Sequence, residues 1–543
     1  MTLQSKRFVF HSSEQISLSL YVKAFLMTIN VFPPQFTLEV EEPEPELAFR
    51  KMNLLKKLSL TPSSLRTAAH VVDYLRILFF NENDLYFVED QIEAMLVNGR
   101  INYDQPDNLR KAMFKGKALL RELSKNWPEK QAKEERANLY AEIDAFTAPA
   151  NAIKESSGIS SDTVKDGIDV LIPRGYRGIS PLGCAGLFAS EDIKADEVIL
   201  SIAESDIINL FTALRDAEFE MHAKGLLESG QHPDTVVLLY IVYLRRVCDE
   251  RDNLPMSVKL FFRSLKGVGF GTLLEWPVEA VDALGLSSVS EEVQKHKDIL
   301  FDVYRSLPEF LCPSFEDLLW AKTLCSSRSF MNGNMTALNY FEEQVLEKYV
   351  PNRRLTCVIP GADLLNHSSR GQCSVPQFNL ETRRLEITAE CDIAKNSEIF
   401  LNYGGIANWE FLFHSGFTLP INPYDTMEIE LEEEDEMLLN EAQLPVMHFI
   451  RKGYPKVSPK LLKAVQIVTG EDNPYETIEE LLLNMCGSDP VVDQSTDWWL
   501  DLYGDRVQTF RDGYKSMVLE ALDVIKQQCH RANKKALLTK KRH

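Results

Sequence analysis

The chain is predicted to be an α+β protein: an irregular β-rich domain cut in two by a helical insertion, with a helical region before it and an all-α region after it. Short β-branched runs bounded by turn residues mark the β domain. They fall at Glu197-Val198-Ile199-Leu200-Ser201-Ile202 and then, much later, at Leu355 to Ile359, Leu385-Glu386-Ile387-Thr388-Ala389 and Ile399-Phe400-Leu401. The residues between the two groups, 205–325, read as mostly helical, and apolar residues at helical spacing fill 64–146 and the stretch after about 425.

In chain order, Glu39-Val40-Glu41-Glu42-Pro43-Glu44-Pro45-Glu46 mixes proline with like charges and reads as an extended linker. Residues 1–60 are therefore expected to be a poorly ordered segment and linker. A helical region, 61–150, follows, with Ala68-His70-Val71-Leu75-Leu78-Phe79 and Leu109-Met113-Leu119-Leu120-Leu123 as its apolar faces. Residues 149–168, rich in Ser, Ala and Gly, form the next linker. The β domain spans 165–420, its insertion 205–325, and Val236 to Val247 within the insertion is a core helix ending in Arg245-Arg246. The acidic run Glu432-Glu433-Glu434-Asp435-Glu436 suits a helix start, where negative charge meets the positive end of the dipole, and opens the C-terminal region 421–543.

Composition narrows the function. At 543 residues with 45% hydrophobic side chains, the chain can bury several cores. Its formal net charge of −21 argues against coating nucleic acid, because that affinity comes from Lys and Arg on phosphates. An acidic surface suits a lysine-bearing protein partner or is simply the solvated surface of an acidic protein. Nine cysteines without a C-x-x-C pair signal neither a metal site nor a disulfide framework, which fits a reducing, cytoplasmic setting. No run of 18 apolar residues suggests a membrane span. The basic end Lys540-Lys541-Arg542 suits a nuclear address or a solvated helix end, and residues 1–38, with Glu14 as their one acidic residue, leave an organelle transit peptide open. A monomer is expected.

The most informative residues come late. Asp363-Leu364-Leu365-Asn366-His367-Ser368 is followed by Glu398-Ile399-Phe400-Leu401-Asn402-Tyr403-Gly404 and by Phe413-His414-Ser415-Gly416-Phe417, while Cys184-Ala185-Gly186-Leu187-Phe188-Ala189 stands far upstream. In this order and with this gap, the set resembles the SET-domain protein methyltransferases. Within that family it resembles the branch of the Rubisco large-subunit lysine methyltransferase and the actin-histidine methyltransferase, whose SET domain is split by an insertion. The resemblance covers 170–420. The C-terminal helices resemble that branch's substrate-binding domain, and 105–146, with Leu120-Arg121-Glu122-Leu123 and Asn126-Trp127, loosely resembles the helical N-terminus of the actin-histidine enzyme.

That family transfers a methyl group from S-adenosylmethionine to a protein nitrogen. The chemistry needs a donor pocket, a narrow acceptor channel and a neutral amine, and burial beside a cation lowers a lysine's pKa from about 10.4. By resemblance, Tyr403 is the catalytic tyrosine that orients the amine. Asn366 and His367 would bind the cofactor, with His367 otherwise an ordinary loop histidine. Asp363 would brace their loop. Arg328, in Ser326-Ser327-Arg328-Ser329-Phe330, would grip the cofactor carboxylate bidentately or, alternatively, bond the last carbonyls of a helix. Ser415 would lie on the cofactor side or in the core.

Gly183, Cys184, Ala185, Gly186 and Leu187 would pack their backbone against the cofactor. Cys184 replaces the family's usual glycine and would be strained if its φ were positive. Phe330 and Ala362 would line the acceptor channel. The actin-histidine enzyme carries Asn and Trp at these places, so Phe330 and Ala362 imply lysine: an aliphatic stem needs an apolar tube, whereas an imidazole needs a hydrogen-bonding partner. The expected function is S-adenosylmethionine-dependent lysine methylation of a non-histone protein, with histidine methylation or a non-catalytic SET-fold binding protein as alternatives.

Overall fold

The computed structural model describes residues 18–20, 26–31, 36–41, 45–61, 64–103, 105–151, 172–181, 184–312, 314–331, 336–350, 354–431, 436–453, 457–470, 473–486 and 499–540. The linker expected at 39–46 does not hold at either end. Glu39, Val40 and Glu41 close the strand Phe36–Glu41, paired antiparallel with Leu26–Val31, and Pro45 starts the helix Pro45–Lys57. Proline at a helix start loses no hydrogen bond, and Glu46 in the first turn meets the dipole favourably. This helix buries Ala48, Leu54 and Leu55 in the same cluster as Val71, Leu75, Met113 and Leu120, so a boundary at residue 60 cuts through a core.

The helices Ala68–Leu78, Glu82–Val88, Pro106–Leu123 and Glu129–Asn151 complete the N-terminal region. Thr67 and Asn81 cap two of them through side-chain oxygens. Buried polar contacts tie this region to the C-terminal part. Tyr86 meets Nδ1 of His448 at 2.6 Å, and the Tyr103 hydroxyl bridges Asp84 and Arg451.

The β domain is a set of small sheets. Gly175–Ile179 pairs antiparallel with Ala185–Ala189; Gln377–Asn379, Arg384–Thr388 and Val198–Ala203 form a three-stranded sheet in that order; Ser329–Met331 pairs antiparallel with Thr356–Val358. Asn366–His367 pairs parallel with Phe400–Leu401. Four of these strands lie where β-branched runs predict them. Between Val198–Ala203 and Ser329–Met331 come the helices of the insertion, from Leu210–Arg215 to Phe315–Arg328. Their core is continuous with that of the sheets, and Pro233–Val247 runs through it with ten buried residues.

Beyond residue 421 the chain is helical at Glu436–Glu441, Pro459–Thr469, Pro474–Cys486 and Leu500–Lys540, yet it also carries an antiparallel hairpin, Thr426–Glu430 with Met447–Arg451. Met427 and Ile429 point inward while Glu428 faces out, the period-2 alternation of a half-buried strand. The expected linker at 149–168 and the acidic run at 432–436 fall largely outside the described residues.

Candidate active site

Segments remote in sequence meet where the hairpin Gly175–Ile179/Ala185–Ala189 crosses the parallel pair. Gly186 lies opposite Gly178 and must lack a side chain. A Cβ there would stand 2.9 Å from Asn366 Nδ2 and closer still to the Glu398 carboxylate. Asn366 Nδ2 donates to Ala185 O at 3.1 Å and to Glu398 Oε1 at 2.8 Å, and the Ser180 hydroxyl donates to Glu398 Oε2 at 2.7 Å. Burial raises the Glu398 pKa above the ordinary carboxylate value, opposed by the Asn366 and Ser180 hydrogen bonds.

Cys184 points its thiol at Asn366 Oδ1, 3.7 Å away. Burial and the Glu398 carboxylate push the thiol pKa up, so the group is a protonated donor. Its carbonyl accepts from Ser180 N at 2.8 Å, as the strand begins. Gly183 lies outside the described residues. Leu187 buries its side chain fully in the core, and its carbonyl accepts from Ile399 N at 2.7 Å.

His367 Nδ1 accepts the Tyr403 backbone N–H at 3.1 Å, which leaves the ring proton on Nε2. Burial, helped by the Arg110 charge, lowers the His367 pKa to about 4, so the ring is neutral at physiological pH. The Tyr403 hydroxyl donates to Leu365 O at 2.6 Å. Burial raises its pKa, against the pull of Arg328, so it stays a phenol rather than a phenolate.

Arg328 ends the helix Phe315–Arg328. Its Nη1 donates to Asp363 Oδ2 at 2.8 Å and to Asp363 O at 3.1 Å, its guanidinium lies 5.6 Å from the Phe270 ring centre, and its Nε–H is buried without a partner. Asp363 also takes the Gly361 N–H at 2.8 Å, at a residue whose φ of 92° suits glycine. The bonds of Arg328 thus go to Asp363 rather than to helix-end carbonyls.

Arg328, Phe330, Ala362, Asp363, Tyr403 and Ser415 line one cavity of about 450 Å³. That size is ordinary for a small-molecule site, about 300–1,000 Å³. Phe330 reaches it from the strand Ser329–Met331, and Ser415 from the last turn of the helix Asn408–Ser415. Cys184, Ala185, Gly186, Leu187, Asn366 and His367 do not line it; of these, His367 packs against Tyr403, with ring centres 5.3 Å apart. Glu398 and Ser180 are absent from the sequence-derived set. A glutamate opening the apolar run Ile399-Phe400-Leu401 is the available signal for Glu398, because a carboxylate in a buried strand must find partners.

Among the described residues, no three His, Cys, Asp or Glu side chains are grouped to hold a metal, and no helix is long and apolar enough to cross a membrane. The SET domain family matches residues 185–404, a span that begins at the hairpin strand and ends just after Tyr403. Similar proteins include ribosomal lysine N-methyltransferase set10 of Schizosaccharomyces pombe, 24% identical over 29% of this chain and 28% of its own. N-lysine methyltransferase SETD6 of Rattus norvegicus is 29% identical over 33% of this chain and 36% of its own, and the human actin-histidine N-methyltransferase is 26% identical over 32% of each. These matches span about a third of the relatives' length. A solved structure of Rubisco LSMT bound to AdoMet aligns with a TM-score of 0.47 at 16% identity, covering 65% of this chain and 87% of that one. Asn366, His367 and Tyr403 lie within the matched span, with Ser415 just beyond it.

Proposed function

We propose that this protein is an S-adenosylmethionine-dependent protein-lysine N-methyltransferase acting on a non-histone protein. The observation that carries the reading is the meeting, in one cavity, of a neutral tyrosine hydroxyl, a partly unpartnered guanidinium and an apolar wall. The residues fit the cofactor. Arg328 has a buried Nε–H free to bond a carboxylate, and Gly186 keeps a side chain from crowding Asn366. Arg328 and Ser415, which line the cavity, would hold it from that side, and Asn366, His367 and the backbone of 184–187, which do not line it, are assigned to the cofactor by the family resemblance alone. When bound, the cofactor supplies a methyl group on a sulfonium.

The chain's own residues do the rest. Because the Tyr403 proton is committed to Leu365 O, the phenol oxygen keeps lone pairs with which to accept an N–H from an incoming amine and aim its nitrogen. Burial in the cavity favours the uncharged amine. Phe330, Ala362, Leu401 and Ile406 offer apolar surface to an aliphatic stem. Asn402 also lines the cavity, but its two polar ends are used: Nδ2 bonds Ser369 O at 3.1 Å, and Oδ1 accepts Gly404 N–H at 2.7 Å. It is therefore a poor partner for an imidazole, and the lysine reading is preferred to histidine.

The C-terminal helices are read as the substrate-binding part. The acidic surface and scattered thiols support a cytoplasmic monomer that meets a lysine-bearing protein rather than nucleic acid. Labelled cofactor incubated with a cell lysate, followed by fragment mass spectra of the labelled band, tests the whole reading. Methyl groups on lysine are expected, and methyl groups confined to histidine would overturn the assignment of the acceptor.

A further inference from the structure

We infer that Arg110, in the N-terminal helical region and outside the SET domain, is a positioning residue for the active-site segments that carry His367 and Tyr403. The helix Pro106–Leu123 presents a guanidinium whose side chain is 7% exposed. Its Nε donates to Gly371 O at 2.9 Å, its Nη2 donates to Cys373 O at 2.8 Å, and Nη2 also pairs with the Glu390 carboxylate. One planar fork thus fixes two backbone carbonyls five to seven residues after Asn366. Lys117, two turns along the same helix, adds a bond to Glu390 O at 2.7 Å.

The gripped segment is itself the template for the strand that leads to Tyr403. Ser368 N donates to Leu401 O at 3.0 Å, Gln372 N donates to Phe400 O at 2.9 Å, and Asn402 Nδ2 donates to Ser369 O at 3.1 Å. Gly371 lies so close that a Cβ there would stand 2.6 Å from Asn402 N. A shift of residues 371–373 is therefore passed to residues 400–402 by hard contact and by hydrogen bonds. Tyr403 and His367, linked to each other by the bond from Tyr403 N, move with it. The Arg110 charge additionally favours the neutral form of His367 that accepts this bond. A misplacement of about 1 Å costs on the order of 10²-fold in rate.

Removing the fork should loosen the site without emptying it. The inference rests on the methyltransferase reading for its rate and on backbone exchange for its geometry. Arg110→Gln and Arg110→Lys are compared with Lys117→Ala in the full-length protein. Amide hydrogen exchange of Ser368, Gln372 and Tyr403 is expected to quicken at least tenfold in Arg110→Gln, less in Arg110→Lys and little in Lys117→Ala. Turnover per cofactor-binding site, counted by calorimetric titration, is expected to fall at least tenfold in Arg110→Gln while cofactor affinity stays within about threefold. Unchanged exchange at those three amides in a folded Arg110→Gln overturns the inference, whatever the turnover. A general rise in exchange across the helices with unchanged turnover per site would also overturn it, because the arginine would then serve stability alone. A wild-type protein that shows no methyl transfer would defeat the proposed function, and the exchange measurement would still decide the role of Arg110.

Discussion

The polar cluster around Asn366 and the wall of the cavity are built differently. In the cluster, Asn366, Glu398, Ser180 and Cys184 bond one another and the backbone, and Gly186 allows them to close up. Across the cavity, Phe330 and Ala362 offer carbon, and Arg328 keeps a buried Nε–H without a partner. Mutually satisfied polar groups have one good geometry and resist change. An apolar wall with an unspent donor can take a guest at little cost. The site thus separates a rigid frame from a receptive face, and each can be broken alone.

The largest effect is expected at the junction of the two. Tyr403→Phe removes the hydroxyl while keeping the ring, so turnover should fall on the order of 10²-fold or more with cofactor affinity nearly intact. Labelled-methyl turnover beside calorimetry decides this, and undiminished turnover removes Tyr403 from the chemistry. On the receptive face, Ala362→Trp should cut lysine methylation at least about tenfold by filling the acceptor wall. Ala362 is 1% exposed, so overpacking of about 1–3 kcal/mol is also expected. Ala362→Val, with a melt as control, separates blockage from misfolding. Unchanged lysine methylation in a folded Trp variant would mean that the wall lies elsewhere.

In the rigid frame, Asn366→Ala with His367→Ala should weaken cofactor binding about tenfold and also lower stability, because the Glu398 carboxylate loses a donor at a cost of about 1–3 kcal/mol. A binding defect without any fall in melting temperature would argue against the interlocked frame.

The smallest effect concerns pH. His367 and His448 are held neutral by burial, each with a pKa of about 4. The unfolded chain takes up these protons near pH 6.5, the folded chain only near 4. The stability they confer is thus complete above about pH 6.5 and is lost as pH falls toward 4, by about 1.4 kcal/mol per group at pH 5.5. Denaturant melts at pH 7.5 and 5.5 should show His448→Gln losing less stability than wild type across that interval, and equal losses would mean that His448 is not held neutral.

Much of this architecture is legible in the sequence where local pattern and burial agree. The runs at 197–202, 355–359 and 399–401 are apolar and β-branched, and strands form there because both local preference and the core require it. The hairpin at 175–189 escapes that reading because glycines and alanines fill it, chosen for close approach rather than for strand preference. The C-terminal hairpin escapes because Thr426–Glu430 offers only Met427 and Ile429 as apolar residues, too short a run to stand out beside the acidic stretch that follows. At the site, Tyr403, Asn366 and Arg328 stand in recognisable strings, while Glu398 and Arg110 act only through contacts across 32 and 261 residues. No local pattern encodes such distances.

The crossing of Gly186 with Asn366 and Glu398 also sets an order of events during synthesis. At about 5–20 residues per second, some 10–40 s separate the emergence of residue 186 from that of residue 398. Through that interval the first hairpin has been made but lacks the segments that close over it, and its unpaired backbone is exposed to other nascent chains. The helical insertion emerges within that interval, and its buried residues share one core with the sheets on either side, so it too packs fully only when the second half is present. A translational pause anywhere between residues 186 and 398 should therefore prolong the vulnerable state, whereas a pause after residue 398 has emerged should be tolerated.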